Sequence, residues 1–300
     1  MKKIITKLPH SSDFNYLKIE TTGLSKDKDN IIALSTILKN KCEITTLVVE
    51  DLKDEEKIVE FFSKNLSKNK FITFNGKSFD GPFLEQKILF YFENLYITNF
   101  FDVQKLARKY NYLLKVPSYS NDTLLKFFNI EPSKINGRDI NKLYKTYLKG
   151  DKTSLQDIAR FSIESIKNLQ LLHDKLTNFI KENLSICIDN YKFETIDMEL
   201  IKNQIILTGK TNFPDKLFSS NELFNLDIEK DFLLEINTEN LPYDEDYDCY
   251  FVRKSNYGKI TNKSSIKSPK EILILYYKNY CYENILSLAE FIIRKTIVNN

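Results

Sequence analysis

Glycine and proline are scarce in this chain, 7 of each among 300 residues. Few positions can therefore act as flexible or broken linkers. With 42% hydrophobic residues, 22 Phe and 17 Tyr, the sequence predicts ordered structure throughout. Cysteine is rarer still. Cys42, Cys187, Cys249 and Cys281 lie far apart with no Cys-x-x-Cys pair, and only His10 and His173 accompany them. That excludes a zinc site or a disulfide framework and predicts reduced, mostly buried thiols, with both histidines structural or on the surface. No apolar run approaches the roughly 20 residues that span a bilayer, and none of signal-peptide length follows Met1-Lys2-Lys3. A soluble, cytoplasmic protein without membrane contact is expected.

What is present is length and an uneven charge. A chain of 300 residues is long enough for two domains of roughly 100–200 residues each. The net charge of +3 conceals an asymmetry: residues 1–190 carry 30 Lys and Arg against 24 Asp and Glu, the remainder 14 against 17. Within 101–150 the balance is 10 basic to 4 acidic, a candidate nucleic-acid surface.

Residues 16–20 alternate polar and apolar side chains, the period of a strand with two unlike faces. The apolar runs 31–38 and 44–49, divided by Lys39-Asn40-Lys41, complete an antiparallel three-strand meander. Ile58, Phe62 and Leu66 form one stripe of a helix over 51–66, and a strand follows at 71–74. Asn75-Gly76 then turns the chain so that Asp80 stands where a strand gives way to a helix. Asp102 has the same setting and reads as a helix N-cap. A long amphipathic helix is expected over 154–184. Beyond 186, alternating segments at 193–200, 204–211, 232–237 and 249–252 suggest strands. Ser268-Pro269-Lys270-Glu271 reads as a capping box opening a closing helix. The fold class expected is α/β, a mixed sheet flanked by helices over residues 1–185, followed by a smaller α+β domain over 186–300.

Tyr16-Leu17-Lys18-Ile19-Glu20-Thr21-Thr22-Gly23-Leu24 resembles the first motif of DEDD-type 3′–5′ exonucleases, Asp-x-Glu-Thr-Thr-Gly. Phe74-Asn75-Gly76-Lys77-Ser78-Phe79-Asp80-Gly81-Pro82-Phe83-Leu84 is similar to the second motif of ribonuclease H-like proteins of the YprB type. Phe101-Asp102-Val103-Gln104-Lys105-Leu106-Ala107-Arg108, and Gly137 ahead of Leu143-Tyr144, fall where that family has an Asp-led helix start and a glycine before a tyrosine-containing helix. The resemblance covers about residues 12–178 with the motifs in order. It implies a ribonuclease H-like sheet and a catalytic site of four acids holding two divalent metals, with a Tyr or His orienting the attacking water.

Only half of those acids are present. Glu20 and Asp80 match. Lys18 stands at the first acid's position, Phe161 at the water-orienting position and Ser165 at the last acid's. The charge implied for the site falls from −4 to −1, and unit charges a few Å apart interact by about 4 kcal/mol at an effective dielectric of 20, which favours a Lys18 salt bridge over a bound metal. The resemblance thus implies a catalytically degenerate exonuclease homologue, a pseudoenzyme binding nucleic acid or a protein partner and needing no cofactor. Two alternatives remain. One is an active exonuclease using Mg²⁺ or Mn²⁺ on Glu20, Asp80 and Glu164. The other is a scaffold contacting protein through the aromatic C-terminal part. Arg138, Lys142, Lys145 and Lys149 recur at i, i+4, i+7 and i+11, a basic stripe opposite Leu143, Tyr144, Tyr147 and Leu148 that could follow phosphates or face water.

Overall fold

The computed structural model describes residues 1–298. They fall into two compact units, one of residues 1–109 and 116–176, the other of 110–115 and the described residues from 177 onward. In chain order the elements are β1 (Lys2–Lys7), β2 (Asn15–Thr21), β3 (Ile31–Ile37), β4 (Glu43–Val48), α1 (Glu55–Asn65), β5 (Phe71–Thr73), α2 (Asp80–Phe92), β6 (Phe100–Asp102) and α3 (Val103–Lys109). Next come α4 (Asn111–Leu114), which belongs to the second unit, then α5 (Asn121–Phe127), α6 (Ile140–Leu148) and α7 (Lys152–Asn183).

The first unit is a six-stranded mixed sheet in the order β1-β4-β3-β2-β5-β6. The expected meander is there, β2, β3 and β4 pairing antiparallel, while β5 and β6 add on parallel to β2. Every residue of β3 is buried, as a central strand covered on both faces requires, and this explains its unbroken apolar run. Helix α1 packs on β3 through a buried carboxylate. Glu55 accepts the backbone N–H of Ile31 at 2.6 Å, the Asn30 amide at 2.6 Å and the Tyr91 hydroxyl at 2.7 Å, and Lys87 on α2 lies 3.3 Å away. Helix α7 is anchored by hydroxyls: Ser162 Oγ meets Ser35 Oγ at 2.8 Å, which meets Thr46 Oγ1 at 2.7 Å.

Strand β1 was not expected. Its sequence Lys2-Lys3-Ile4-Ile5-Thr6-Lys7 carries three lysines, the charge that an edge strand tolerates and that hides a strand from hydrophobic patterning.

The second unit continues with β7 (Ser185–Ile188), β8 (Tyr191–Ile201), β9 (Gln204–Thr211), β10 (Leu217–Ser220), β11 (Phe224–Ile228), β12 (Asp231–Asn237), β13 (Glu239–Pro242), β14 (Asp248–Arg253), β15 (Ile272–Tyr277), β16 (Asn279–Tyr280) and α8 (Tyr282–Val298). It holds two antiparallel sheets, β10-β11-β12-β9-β8-β7 and β13-β14-β15-β16, and α8 packs against β7 and β15. The closing helix does not start at Ser268. Pro269 C=O accepts the Ile272 N–H at 3.1 Å in a turn, and the β-branched and aromatic run that follows pairs with β14 as strand β15. Tertiary pairing overrides the local capping signal, and the helix begins only at Tyr282. The thiols also divide: Cys249 and Cys281 are buried, but Cys42 and Cys187 are exposed, contrary to the expectation of mostly buried cysteines. Among the described residues no helix is long and apolar enough to cross a membrane.

Candidate functional site

The alternation of β2 places Lys18 and Glu20 on one face of the sheet. Across the ladder Lys18 faces Ser35, which faces Thr46, which faces Ile4, so Lys18 shares the face on which α7 is anchored. The Lys18 ammonium lies 3.2 Å from Glu20 Oε1. That oxygen is buried and among the described residues receives no hydrogen bond, so the lysine charge is its compensation.

Asp80 reaches the same place from the second motif. Asn75 takes the left-handed conformation, φ 58°, and Gly76 follows so close to β5 that a Cβ on it would lie 2.2 Å from Thr73 Oγ1. This turn seats Asp80 at the start of α2, where its Oδ1 accepts the Ile19 backbone N–H at 3.1 Å. The carboxylate is thus fixed to the strand residue between Lys18 and Glu20. Asp102 supports the turn: its Oδ1 accepts from Asn75 N at 3.0 Å and from Gln104 N at 3.0 Å, as the N-cap of α3. Its Oδ2 is buried and has no hydrogen-bond partner among the described residues.

From α7, Phe161 contributes its ring, whose centroid is 5.9 Å from Lys18 Nζ, within cation–π range. Gly137 lies beside it, since a Cβ there would be 3.5 Å from Phe161 Cζ. Ser165, one turn further on, is half-buried and among the described residues makes no hydrogen bond or ion pair with Lys18, Glu20 or Asp80.

Burial raises the Glu20 pKa, and Lys18 offsets this only in part. Burial likewise pushes Asp80 up to about 6, against the Lys18 charge and the Ile19 N–H. For Lys18 burial acts the other way, but the side chain keeps 31% of its surface, and the two carboxylates hold its pKa above the ordinary lysine value. The cluster therefore consists of a firm ammonium and two carboxyls whose pKa values burial raises.

Glu164 is turned away from this cluster. It accepts from Ser133 Oγ at 2.6 Å and lines a separate cavity of about 630 Å³ with Lys2, Ile4, Glu50 and Lys167. One residue along a helix rotates a side chain by about 100°, which accounts for the different direction. Among the described residues no three Asp, Glu, His or Cys side chains gather in a metal-binding group. The ligand set Glu20, Asp80 and Glu164 is not assembled.

The basic stripe is exposed along its length. Arg138 lies in a 3₁₀ turn, Lys142 and Lys145 on α6, and Lys149 caps its C-terminus. Ile140 and Tyr144 are buried beneath, with Leu143 and Tyr147 half-buried, whereas Leu148, expected on the apolar side, is 56% exposed because α6 ends there. Sequence reasoning missed a tyrosine-lined pocket in the second unit, formed by Tyr112, Tyr280 and Tyr282. The dense tyrosines of 276–282 were its only signal.

A family model of the RNase H superfamily, RNase_H_2, matches residues 15–177. Similar solved structures include an exonuclease I complex with SSB-Ct, at 12% identity and a TM-score of 0.31 over 67% of this chain and 56% of that one. Another is E. coli exonuclease I with a dT13 oligonucleotide, at 13% identity and a TM-score of 0.32 over 65% and 54%. The chain thus spans little more than half the length of these structures. No curated protein matches it. With the motif-bearing strands and helices all inside the matched residues, the chain belongs to the RNase H superfamily.

Proposed function

We propose that this chain is a catalytically degenerate homologue of the ribonuclease H-like 3′–5′ exonucleases that binds nucleic acid without hydrolysing it. The observation that carries the reading is the Lys18 ammonium, 3.2 Å from Glu20 and facing Asp80 at the position where a metal-ligating acid would stand. A divalent pair needs several oxygen ligands of negative charge. This cluster offers two buried carboxyls already facing a cation, while Phe161 and Ser165 add no charge. The residues do not fit the metals.

Binding is supported by Arg138, Lys142, Lys145 and Lys149, all exposed, none of which enters an ion pair among the described residues. Four unpaired cations in a row suit a phosphate backbone. The test is fluorescence anisotropy with a labelled single-stranded oligonucleotide in Mn²⁺, across a salt series. Binding should weaken as salt rises while the strand stays intact. Replacing the four residues by Ala should lower the slope of log affinity against log salt by about 0.7 per lost contact. Unchanged affinity and slope in that variant would leave the stripe as a solvated helix face, and cleavage of the strand would refute the degenerate reading.

A further inference from the structure

The second unit contains a pocket of about 330 Å³ lined by tyrosines and lysines. Tyr112 on α4 is buried, with its ring centroid 5.2 Å from that of Tyr280 and 6.0 Å from that of Tyr282. The group is held in place before any ligand arrives. Tyr280 Oη accepts the Leu200 N–H at 3.0 Å, which pins that ring. The buried Asn284 side chain accepts the Lys263 N–H at 2.7 Å and donates to Ile274 C=O at 2.7 Å, which fixes the backbone at the pocket's rim. Lys115 and Lys263 are exposed, and their ammonium groups form no ion pair among the described residues. Lys263 stands out in residues 191–300, which carry 14 basic and 17 acidic residues, and Lys115 comes from the stretch 101–150, with 10 basic and 4 acidic.

We infer that this pocket binds one unpaired nucleotide of a single-stranded nucleic acid, its base stacked on the tyrosines and its phosphates held by Lys115 and Lys263. The inference rests on the nucleic-acid-binding reading and adds to it the strandedness and a second contact site. The volume lies at the lower end of those that hold small ligands, so it suits a single nucleotide. Aromatic rings accept any base by its face, and that face is free only when the base is unstacked, which excludes a duplex. The ammonium groups supply the sequence-independent part. Glu283, which also lines the pocket, is engaged by the Tyr282 hydroxyl at 3.3 Å.

The chain contains no tryptophan, so Tyr282→Trp introduces a single reporter at the pocket while keeping an aromatic face. A single-stranded thymidine oligonucleotide should quench that fluorescence, and the matching duplex should not. Tyr282→Ala should weaken strand binding about tenfold. Lys115→Glu with Lys263→Glu should lower the salt slope by about 1.4, with thermal melting confirming that the variants fold. If the strand binds but the tryptophan is unmoved, and the Ala and Glu variants bind like wild type, the pocket assignment is wrong while the nucleic-acid reading stands. If wild type binds no strand, that reading falls. Quenching by a free nucleoside monophosphate alone would then make the pocket a small-molecule site and overturn its assignment to a strand.

Discussion

Lys18, Glu20 and Asp80 behave as one electrostatic unit, and their pH dependence follows from it. Asp80 has a folded pKa of about 6, above the ordinary 3.8. Between those values the native state keeps a proton that the unfolded chain has lost, so this contribution to stability is present at low pH and is lost as pH rises through 6. A shift of this size corresponds to roughly 3 kcal/mol at most. Asp80→Asn keeps an oxygen for the Ile19 N–H without the titration. In urea unfolding, the stability of wild type relative to this variant should fall by roughly 2 kcal/mol from pH 4 to pH 7. A difference that does not change with pH would mean that the carboxyl is not held in a desolvated, charge-crowded place. The presence of Lys18 and the absence of an acid at Ser165 were legible in the sequence from motif order alone. The direction of Glu164 required the helix to be seen, because its Ser133 partner lies 31 residues away.

At the scale of elements, legibility followed how local the cause was. β2, β3 and β4 announced themselves because each is apolar along at least one face, and α7 because its stripe runs for many turns. β1 was hidden by its lysines. β15 was mistaken for the beginning of a helix because Ser268-Pro269-Lys270-Glu271 is a valid cap, while its strand character depends on pairing with β14, a long-range contact. Another long-range feature invisible to patterning is the Glu55 network, which joins β3, α1 and α2. Glu55 and Lys87 are both buried, so Glu55→Leu leaves an unpaired ammonium and three donors, on Asn30, Ile31 and Tyr91, without their acceptor. Denaturant unfolding should show a loss of about 3–5 kcal/mol, much of it recovered when Lys87→Met is added. A loss below about 1 kcal/mol would show that the network is peripheral to the fold of this unit.

For the whole molecule, the family match ends at residue 177, close to where the first compact unit ends at 176. The superfamily assignment therefore speaks for the sheet that carries Lys18, Glu20 and Asp80 and not for the second unit, whose antiparallel sheets and tyrosine pocket had no motif to announce them. The most direct measurement of the central claim is calorimetric titration of Mn²⁺ into wild type and into the Lys18→Asp, Ser165→Asp double variant, followed by an exonuclease assay that includes a triple variant with Phe161→His. Wild type should take up no Mn²⁺ at concentrations that saturate the double variant, and only the triple variant should shorten a single strand from its 3′ end. Stoichiometric Mn²⁺ uptake by the unmodified protein, with strand degradation abolished by Glu20→Gln, would contradict the account.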